Sequence, residues 1–387
     1  MKVVIDATNA INDVRAIQRY AWNLLSQINE IDSDITYTFL YLFGWNSGMI
    51  KLPNFNKNKV NVVSSKIPGR LLKLSWKLFS YPDAKFFIRE NFQIFHFPGG
   101  YTYLPVHKAK VLTTLHGFAP IILPNYFENE VVSDFKIKIE ETISQSDYFI
   151  TVSNVNKEEL NGIWGISNDR INVIPLGVGT EFQILDLPKE KEEKIRNKYS
   201  LGNKKFFLYV GSSIPSKNIK GIIEAYNLLE KEVKKEFNLI LVGPKTKYTN
   251  FYIDLARKYN ILDNLVFVDY ISPSSEDLAI IYNLAELFIF MSFYEGWASP
   301  PLEAMRCGVP VIVSDIPSLR ESTGGVAEYC NPKNTEEISY AIQRMIEQPE
   351  FRRKKIEDGI QFSSNFTWKL CTERTIQFYN EIIKKEF

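Results

Sequence analysis

The feature that most constrains this chain is a regular alternation of short apolar runs with stretches of helical pattern. A first series of runs lies at residues 3–5, 37–42, 60–63, 94–96, 111–115, 148–152 and 171–174, and a second at 206–210, 239–242, 265–267, 287–290, 311–313 and 327–330. Runs of this length, separated by helical segments such as 219–229 and 251–259, predict parallel strands joined by crossover helices. A Lys- and Glu-rich stretch at 189–198 parts the two series and reads as a solvated helix and linker. The expected α/β architecture is therefore two Rossmann-like domains, residues 1–185 and 199–365, with 366–387 as a further helix. At roughly 100–200 residues per domain, a chain of 387 residues gives each its own core.

Composition acts mainly by exclusion. With 45% hydrophobic and 24% charged residues the chain is globular rather than disordered. Cys307, Cys330 and Cys371 make an odd set without disulfide-framework or metal-ligand spacing, which fits a reducing cytoplasm. Asp6 follows Val3, Val4 and Ile5 too soon for the roughly 7–15 apolar residues of a signal peptide. Nowhere do roughly 18 apolar residues run together, so no integral membrane span is expected. The net charge of +1 hides a local imbalance, because residues 51–90 hold nine Lys and Arg against only Asp83 and Glu90. No nucleic-acid partner is expected from this distribution, and one patch remains for an anionic partner.

The most informative stretch runs Phe293-Tyr-Glu-Gly-Trp-Ala-Ser-Pro-Pro-Leu-Glu-Ala-Met-Arg-Cys-Gly-Val-Pro-Val311. Ser299 suits a helix N-cap, Pro300 a first helical position and Gly308 a C-terminal cap, so 300–307 is predicted to be a short helix. It follows the strand at 287–290, where open parallel sheets bind ligands and free N–H groups attract phosphate. Glu295 and Glu303 frame that anion site. Carboxylates are repelled by phosphate and grip hydroxyl groups instead, so the combination fits a nucleotide-sugar.

The pattern from Glu295 through Gly296 and Pro300-Pro301-Leu302 to Glu303-Ala304-Met305 resembles the retaining, nucleotide-sugar-dependent glycosyltransferases of family 4, whose fold is GT-B. The likeness spans nearly the whole chain. Tyr209-Val-Gly-Ser-Ser-Ile-Pro-Ser-Lys-Asn218 resembles the family's strand, glycine and basic loop, Leu241-Val-Gly243 its next strand end, and Thr151-Val-Ser153 with Val173-Ile-Pro-Leu-Gly177 the end of its first domain. His116-Gly117 resembles its His-Asp dipeptide. The resemblance implies two Rossmann-like domains facing each other across a cleft that closes by hinge motion near 181–198, with the terminal helix crossing back to the first domain. It implies transfer of a hexosyl unit from a nucleotide-diphosphate sugar to a saccharide or lipid-linked acceptor, in surface polysaccharide or glycoconjugate synthesis, with neither cofactor nor metal. It also implies roles: Lys217 with Gly211 and Ser212 for the diphosphate, amides of Gly296, Trp297, Ala298 and Ser299 for the same phosphates, and Glu303 for ribose. Glu295 and His116 address the transferred sugar, and Arg19 and Tyr20 lie on the acceptor side. His96 and His107 are expected to be structural, and Asp32-Ser33-Asp34 a turn rather than a metal site.

The chain also departs from the family pattern. Asn12-Asp-Val-Arg-Ala-Ile-Gln-Arg-Tyr20 lacks the usual Gly-rich turn, which limits close backbone approach. Ser216 stands where an Arg often precedes the lysine, Gly117 where an Asp follows the histidine, and Ala298 where Gly is customary. Two other readings stand beside the transfer reading: a catalytically weak donor-binding or partner subunit, suggested by the altered 15–19 loop, and a GT-B sugar-nucleotide epimerase, which would share the fold without needing an acceptor. The segment 68–81, with Arg70, Lys73 and Lys77 among Leu, Trp76 and Phe79, reads as an amphipathic helix. It either packs on the first domain by its Leu and Trp residues or touches an anionic membrane with Trp76 and Phe79, which would make the protein peripheral on the inner face of the cytoplasmic membrane.

Overall fold

A computed structural model describes residues 1–11, 16–31, 33–42 and 59–385. The departing loop residues Asn12, Asp13, Val14 and Arg15, and Asp32 of the Asp-Ser-Asp turn, lie outside them.

The apolar runs become strands at every expected position. β1 (Lys2–Asp6), β2 (Thr36–Tyr41), β3 (Val60–Ser64), β4 (Ile94–Phe97), β5 (Lys110–Leu115), β6 (Tyr148–Thr151) and β7 (Ile171–Val173) form one sheet, ordered β3-β2-β1-β4-β5-β6-β7. β8 (Lys205–Val210), β9 (Phe237–Val242), β10 (Leu265–Val268), β11 (Leu287–Phe290), β12 (Val311–Ser314) and β13 (Glu328–Cys330) form another, ordered β10-β9-β8-β11-β12-β13. Every pairing is parallel. Helices cover both faces of such a sheet, which is why central strands such as β9, β11 and β12 are buried along their whole length and read as continuous apolar runs. In each sheet the strand order reverses once, between β1 and β4 and between β8 and β11. The crevice beyond the carboxyl ends at such a reversal is where doubly wound sheets take ligands.

The chain divides into two compact units, Met1–Gly177 with Trp368–Phe387 and Val178–Thr367. The first crossing falls earlier than residue 185, and the second, at Thr367–Trp368, two residues after the expected start of the terminal helix at 366. Residues 178–185 join the second unit because Phe182 is buried with its ring 5.6 Å from Tyr282, while Leu185 N donates to Asn283 Oδ1 at 2.8 Å. The stretch read as a solvated helix and linker is a helix, Lys189–Lys198, and it is docked on that unit, with Ile195 buried and Lys198 Nζ on Asp277 at 2.5 Å. Its charges hid one apolar contact and two long-range ion partners. The terminal helix Trp368–Lys384 belongs to the first unit.

A buried polar chain fastens that helix. His96 of β4 shares hydrogen bonds of 2.7 Å with Tyr379 of the helix and 2.7 Å with Thr114 of β5, and Thr114 contacts the Tyr20 hydroxyl at 3.2 Å. Burial pushes the His96 imidazole down to about 3, with His116 adding to the shift, so it is neutral and satisfied on both nitrogens. His96 is structural.

Candidate active site

In the second unit the site begins at the end of β8. Gly211 N donates to Val242 O at 2.9 Å, and a Cβ on Gly243 would lie 1.9 Å from Gly211 O, so the two loops touch through backbone. A Cβ on Gly211 would meet the Tyr209 hydroxyl at 2.5 Å, and that hydroxyl donates to Ser212 O at 2.9 Å. Ser213 Oγ then links to Thr246 Oγ1 at 2.9 Å and Thr249 Oγ1 at 3.3 Å. These contacts wall a small cleft lined by Tyr209, Gly211, Ser213, Gly243, Pro244 and Phe267. Sequence reasoning did not single out Tyr209, Ser213, Thr246 or Thr249 for the site. Hydroxyl residues separated by more than 30 positions carry no local pattern.

Lys217 ends a 3-10 turn, Pro215–Lys217. Asn218 follows in the left-handed region with φ 55°, its Oδ1 accepting from Gly221 N at 3.1 Å and its Nδ2 donating to Pro332 O at 2.7 Å. The turn and the next helix, Ile219–Leu228, are thereby held at a fixed angle. Lys217 Nζ reaches Glu295 Oε1 at 2.6 Å, and Phe293 N donates to Ser216 O at 2.9 Å, so the loops after β8 and β11 are joined by an ion pair and a backbone bond. Residues 78 apart in sequence meet because β8 and β11 are neighbours at the reversal of strand order.

The next helix begins one residue earlier than predicted, at Ser299–Arg306, with Ala298 rather than Ser299 at the N-cap and no side-chain cap. Pro300 and Pro301 remove two donors from its first turn. The amides of Gly296, Trp297, Ala298 and Ser299 nevertheless have no hydrogen-bond partner among the described residues. These four main-chain donors follow Glu295, the partner of Lys217, and lead into a helix N-terminus, a kind of backbone that favours anions. The Trp297 ring turns to Phe366, with centroids 5.4 Å apart, which leaves its main chain to the site. Glu303 is 2% exposed and accepts from the Tyr282 hydroxyl at 3.0 Å.

In the first unit, His116 follows β5. Its Nε2 lies 2.9 Å from Pro98 O, an acceptor only, so Nε2 carries the proton and Nδ1 is left as an acceptor. Burial lowers its pKa to about 4, against the Pro98 bond, which favours the charged form. The loop after β4 approaches closely: a Cβ on Gly100 would stand 3.8 Å from His116 Cδ2, and one on Gly99 would meet Asn9 Nδ2 at 2.0 Å. At the end of β1, Asp6 accepts from Thr8 N at 3.1 Å and from the Tyr103 hydroxyl at 2.6 Å. Its carboxyl is raised by burial, which outweighs those bonds. Tyr20, expected on the acceptor side, is fully buried, edge-on to His116 at 5.0 Å, with its hydroxyl on Thr114. Arg19 is also buried. Helix α1 (Ala16–Ile28) turns both inward because they lie on its core-facing side.

Both units are doubly wound α/β sheets; the second brings Lys217, Glu295 and the amides of residues 296–299 to its strand reversal, and the first carries a neutral histidine after β5. Residues 18–182 match the family described as Glycosyltransferase Family 4, and residues 191–362 that described as Glycosyl transferases group 1. The chain belongs to the family 4 type of GT-B glycosyltransferases. It is similar to O-antigen chain mannosyltransferase B of Escherichia coli, 29% identical over 79% of this chain and 76% of that one. Among solved structures it is similar to sucrose-phosphate synthase of Thermosynechococcus elongatus, with TM-score 0.74 and 18% identity over 99% of both chains. It is also similar to Anabaena HepE in complex with UDP-glucose, with TM-score 0.68 and 12% identity over 98% of this chain and all of that one. These two structural likenesses establish the fold.

Proposed function

We propose that this chain transfers a mannosyl unit, with retention, from a nucleoside-diphosphate sugar to a saccharide or lipid-linked acceptor in the synthesis of a surface polysaccharide. The observation that carries the reading is the Lys217–Glu295 pair at 2.6 Å beside the four free amides. As the bond from the anomeric carbon to the diphosphate oxygen breaks, negative charge grows on the leaving group. Lys217 and the amides of Gly296 to Ser299 stabilise that charge, in place of a metal. Glu295, held by Lys217, is aimed at the hydroxyls of the transferred sugar, and Glu303 at the ribose. In the first unit, neutral His116 keeps Nδ1 as an acceptor for a sugar hydroxyl. The choice of mannose rests on the similarity to an O-antigen mannosyltransferase, and use of a nucleotide-sugar is supported by the UDP-glucose bound to a structural relative. A lipid-linked acceptor lies at a membrane face, so the reading includes peripheral attachment at the cytoplasmic side.

Incubation with GDP- and UDP-sugars, with and without oligosaccharide and lipid-linked acceptors, tests it. Nucleoside diphosphate should be released with a mannosyl donor and should depend on acceptor, giving an α-linked product from an α-linked donor. Release that ignores acceptor points to the epimerase reading, and binding without release to the partner-subunit reading.

A further inference from the structure

Helix α2 (Gly69–Phe79) presents leucines to solvent. At about 100° per residue, Leu72 and Trp76 share one side, where Leu72 is buried and Trp76 Nε1 donates to Pro82 O at 2.7 Å. The Trp76 ring lies 5.6 Å from Tyr103, whose hydroxyl is bound to Asp6, so the helix is fixed to the strand ends of the first unit. Leu71, Leu74 and Leu78 fall within a sector of about 60° on the opposite side, and they are 60%, 55% and 60% exposed. Phe79, 74% exposed, and the edge-to-face pair Tyr81 and Phe86 extend this apolar surface past the helix end. Arg70, Lys73 and Lys77 run along one flank of the leucine row, with Lys66 just before it. Among the described residues Lys66, Arg70 and Lys77 have no carboxylate partner.

An ordinary surface helix turns its lysines outward and its leucines inward. Here a single buried leucine and a tryptophan hold the helix, and the other leucines are presented with their basic border. A symmetric contact with a second copy would set Arg70, Lys73 and Lys77 near their own equivalents, where like charges oppose association. An anionic bilayer has the complementary arrangement, with an acyl boundary for the leucines and rings and a phosphate layer for the basic flank. We infer that α2, with Tyr81 and Phe86, is the surface by which this protein docks on an anionic lipid bilayer. Trp76, the residue that sequence reasoning would have inserted, is committed to the protein. The surface stands whether or not the transfer reading holds, and it adds to that reading the place where a lipid-linked acceptor is met.

The test is co-sedimentation with vesicles of phosphatidylcholine alone or with added phosphatidylglycerol, using the full chain. The wild type should pellet only with phosphatidylglycerol present and should be released as salt shortens the Debye length from about 10 Å at 0.1 M to about 3 Å at 1 M. Arg70→Glu with Lys77→Glu should weaken partition roughly tenfold or more. Leu71→Ser with Leu74→Ser and Leu78→Ser should lose binding while the exposed positions leave the melting temperature unchanged. Failure of the wild type to bind, or wild-type binding by both variants, overturns the inference. A concentration-dependent dimer abolished by the serine variant, without vesicle binding, would assign the patch to a second copy and also overturn it. Nucleotide release from a soluble acceptor, measured on the same preparations, separates the two readings: docking without transfer refutes only the transfer, and transfer without docking only the docking.

Discussion

Lys217 and Glu303 test the donor site from two directions. Lys217→Ala removes charge that matters most as the diphosphate departs, so kcat should fall roughly 10²–10³-fold while nucleotide affinity changes less. Glu303→Ala should instead weaken nucleotide binding on the order of ten- to a hundredfold, the worth of about 1.5–3 kcal/mol for a charge-assisted bond. Because Tyr282 donates to Glu303, the conservative Glu303→Gln keeps that partner and isolates the ligand contact. Titration calorimetry with the nucleoside diphosphate and steady-state kinetics read the two effects apart. If Lys217 and the amides carry the leaving-group charge, chelation by EDTA should leave turnover unchanged. The loop and helix start that carry both glutamates were legible in the sequence, because the spacing of Gly, Pro and Glu dictates them by local chemistry, whereas Lys217 was named only through the family resemblance. The burial of Tyr20 was not legible for the opposite reason: whether an aromatic hydroxyl faces solvent or core depends on which strand and helix cover it.

At the scale of elements, the loops after β8 and β9 are set by contacts that admit no side chain. Gly243→Ala places a methyl 1.9 Å from a carbonyl oxygen that belongs to backbone and cannot swing aside. Overpacking of this kind costs about 1–3 kcal/mol, so the variant should melt earlier and bind nucleotide less well. Asn218→Ala should lose a cap at the helix Ile219–Leu228 and the bond to Pro332 O, at a cost of about 1–2 kcal/mol. Since Asn218 sits in the left-handed region, alanine adds backbone strain there, and Asn218→Gly should recover part of the loss. Differential scanning calorimetry of the three proteins gives the order: wild type, then glycine, then alanine. If Asn218→Ala melts no earlier than wild type, the capping role is wrong. The helix at 189–198 was legible as a helix but not as a docked one, since its mean character is solvated and only Ile195 and the long-range partners of Lys191 and Lys198 tie it to its unit.

For the whole molecule, two buried histidines set a pH dependence of stability. His96 and His116 are depressed from about 6.5 to about 3 and about 4 in the folded state. Between pH 6.5 and those values the unfolded chain binds protons that the folded chain refuses, so stability falls as pH falls and is fully present above about pH 7. Each histidine contributes up to about 1.4 kcal/mol per pH unit in that window. Urea midpoints between pH 7 and about pH 5, above most carboxylate titrations, should decline, and His116→Asn should flatten the decline by about half. A midpoint that is constant over this range in the wild type would show that both histidines titrate normally, and a decline of half the expected size that one of them does.

The amino-acid sequence by itself determined the strand positions, the parallel α/β class and the cluster from Glu295 to Glu303, because each rests on interactions within a few residues: apolar periodicity, caps and prolines. Tertiary structure alone decided the crossings at Gly177–Val178 and Thr367–Trp368, the Lys217–Glu295 pair, the hydroxyl links of Ser213 to Thr246 and Thr249, and the inward turn of Tyr20. It also decided which side of α2 is buried, choosing Leu72 and Trp76 over Leu71, Leu74 and Leu78. The physical reason is shared: each depends on which surface lies opposite. A chain with period 3.6 or 2 specifies that it has an apolar face, while the order in which strands and helices pack specifies what that face meets.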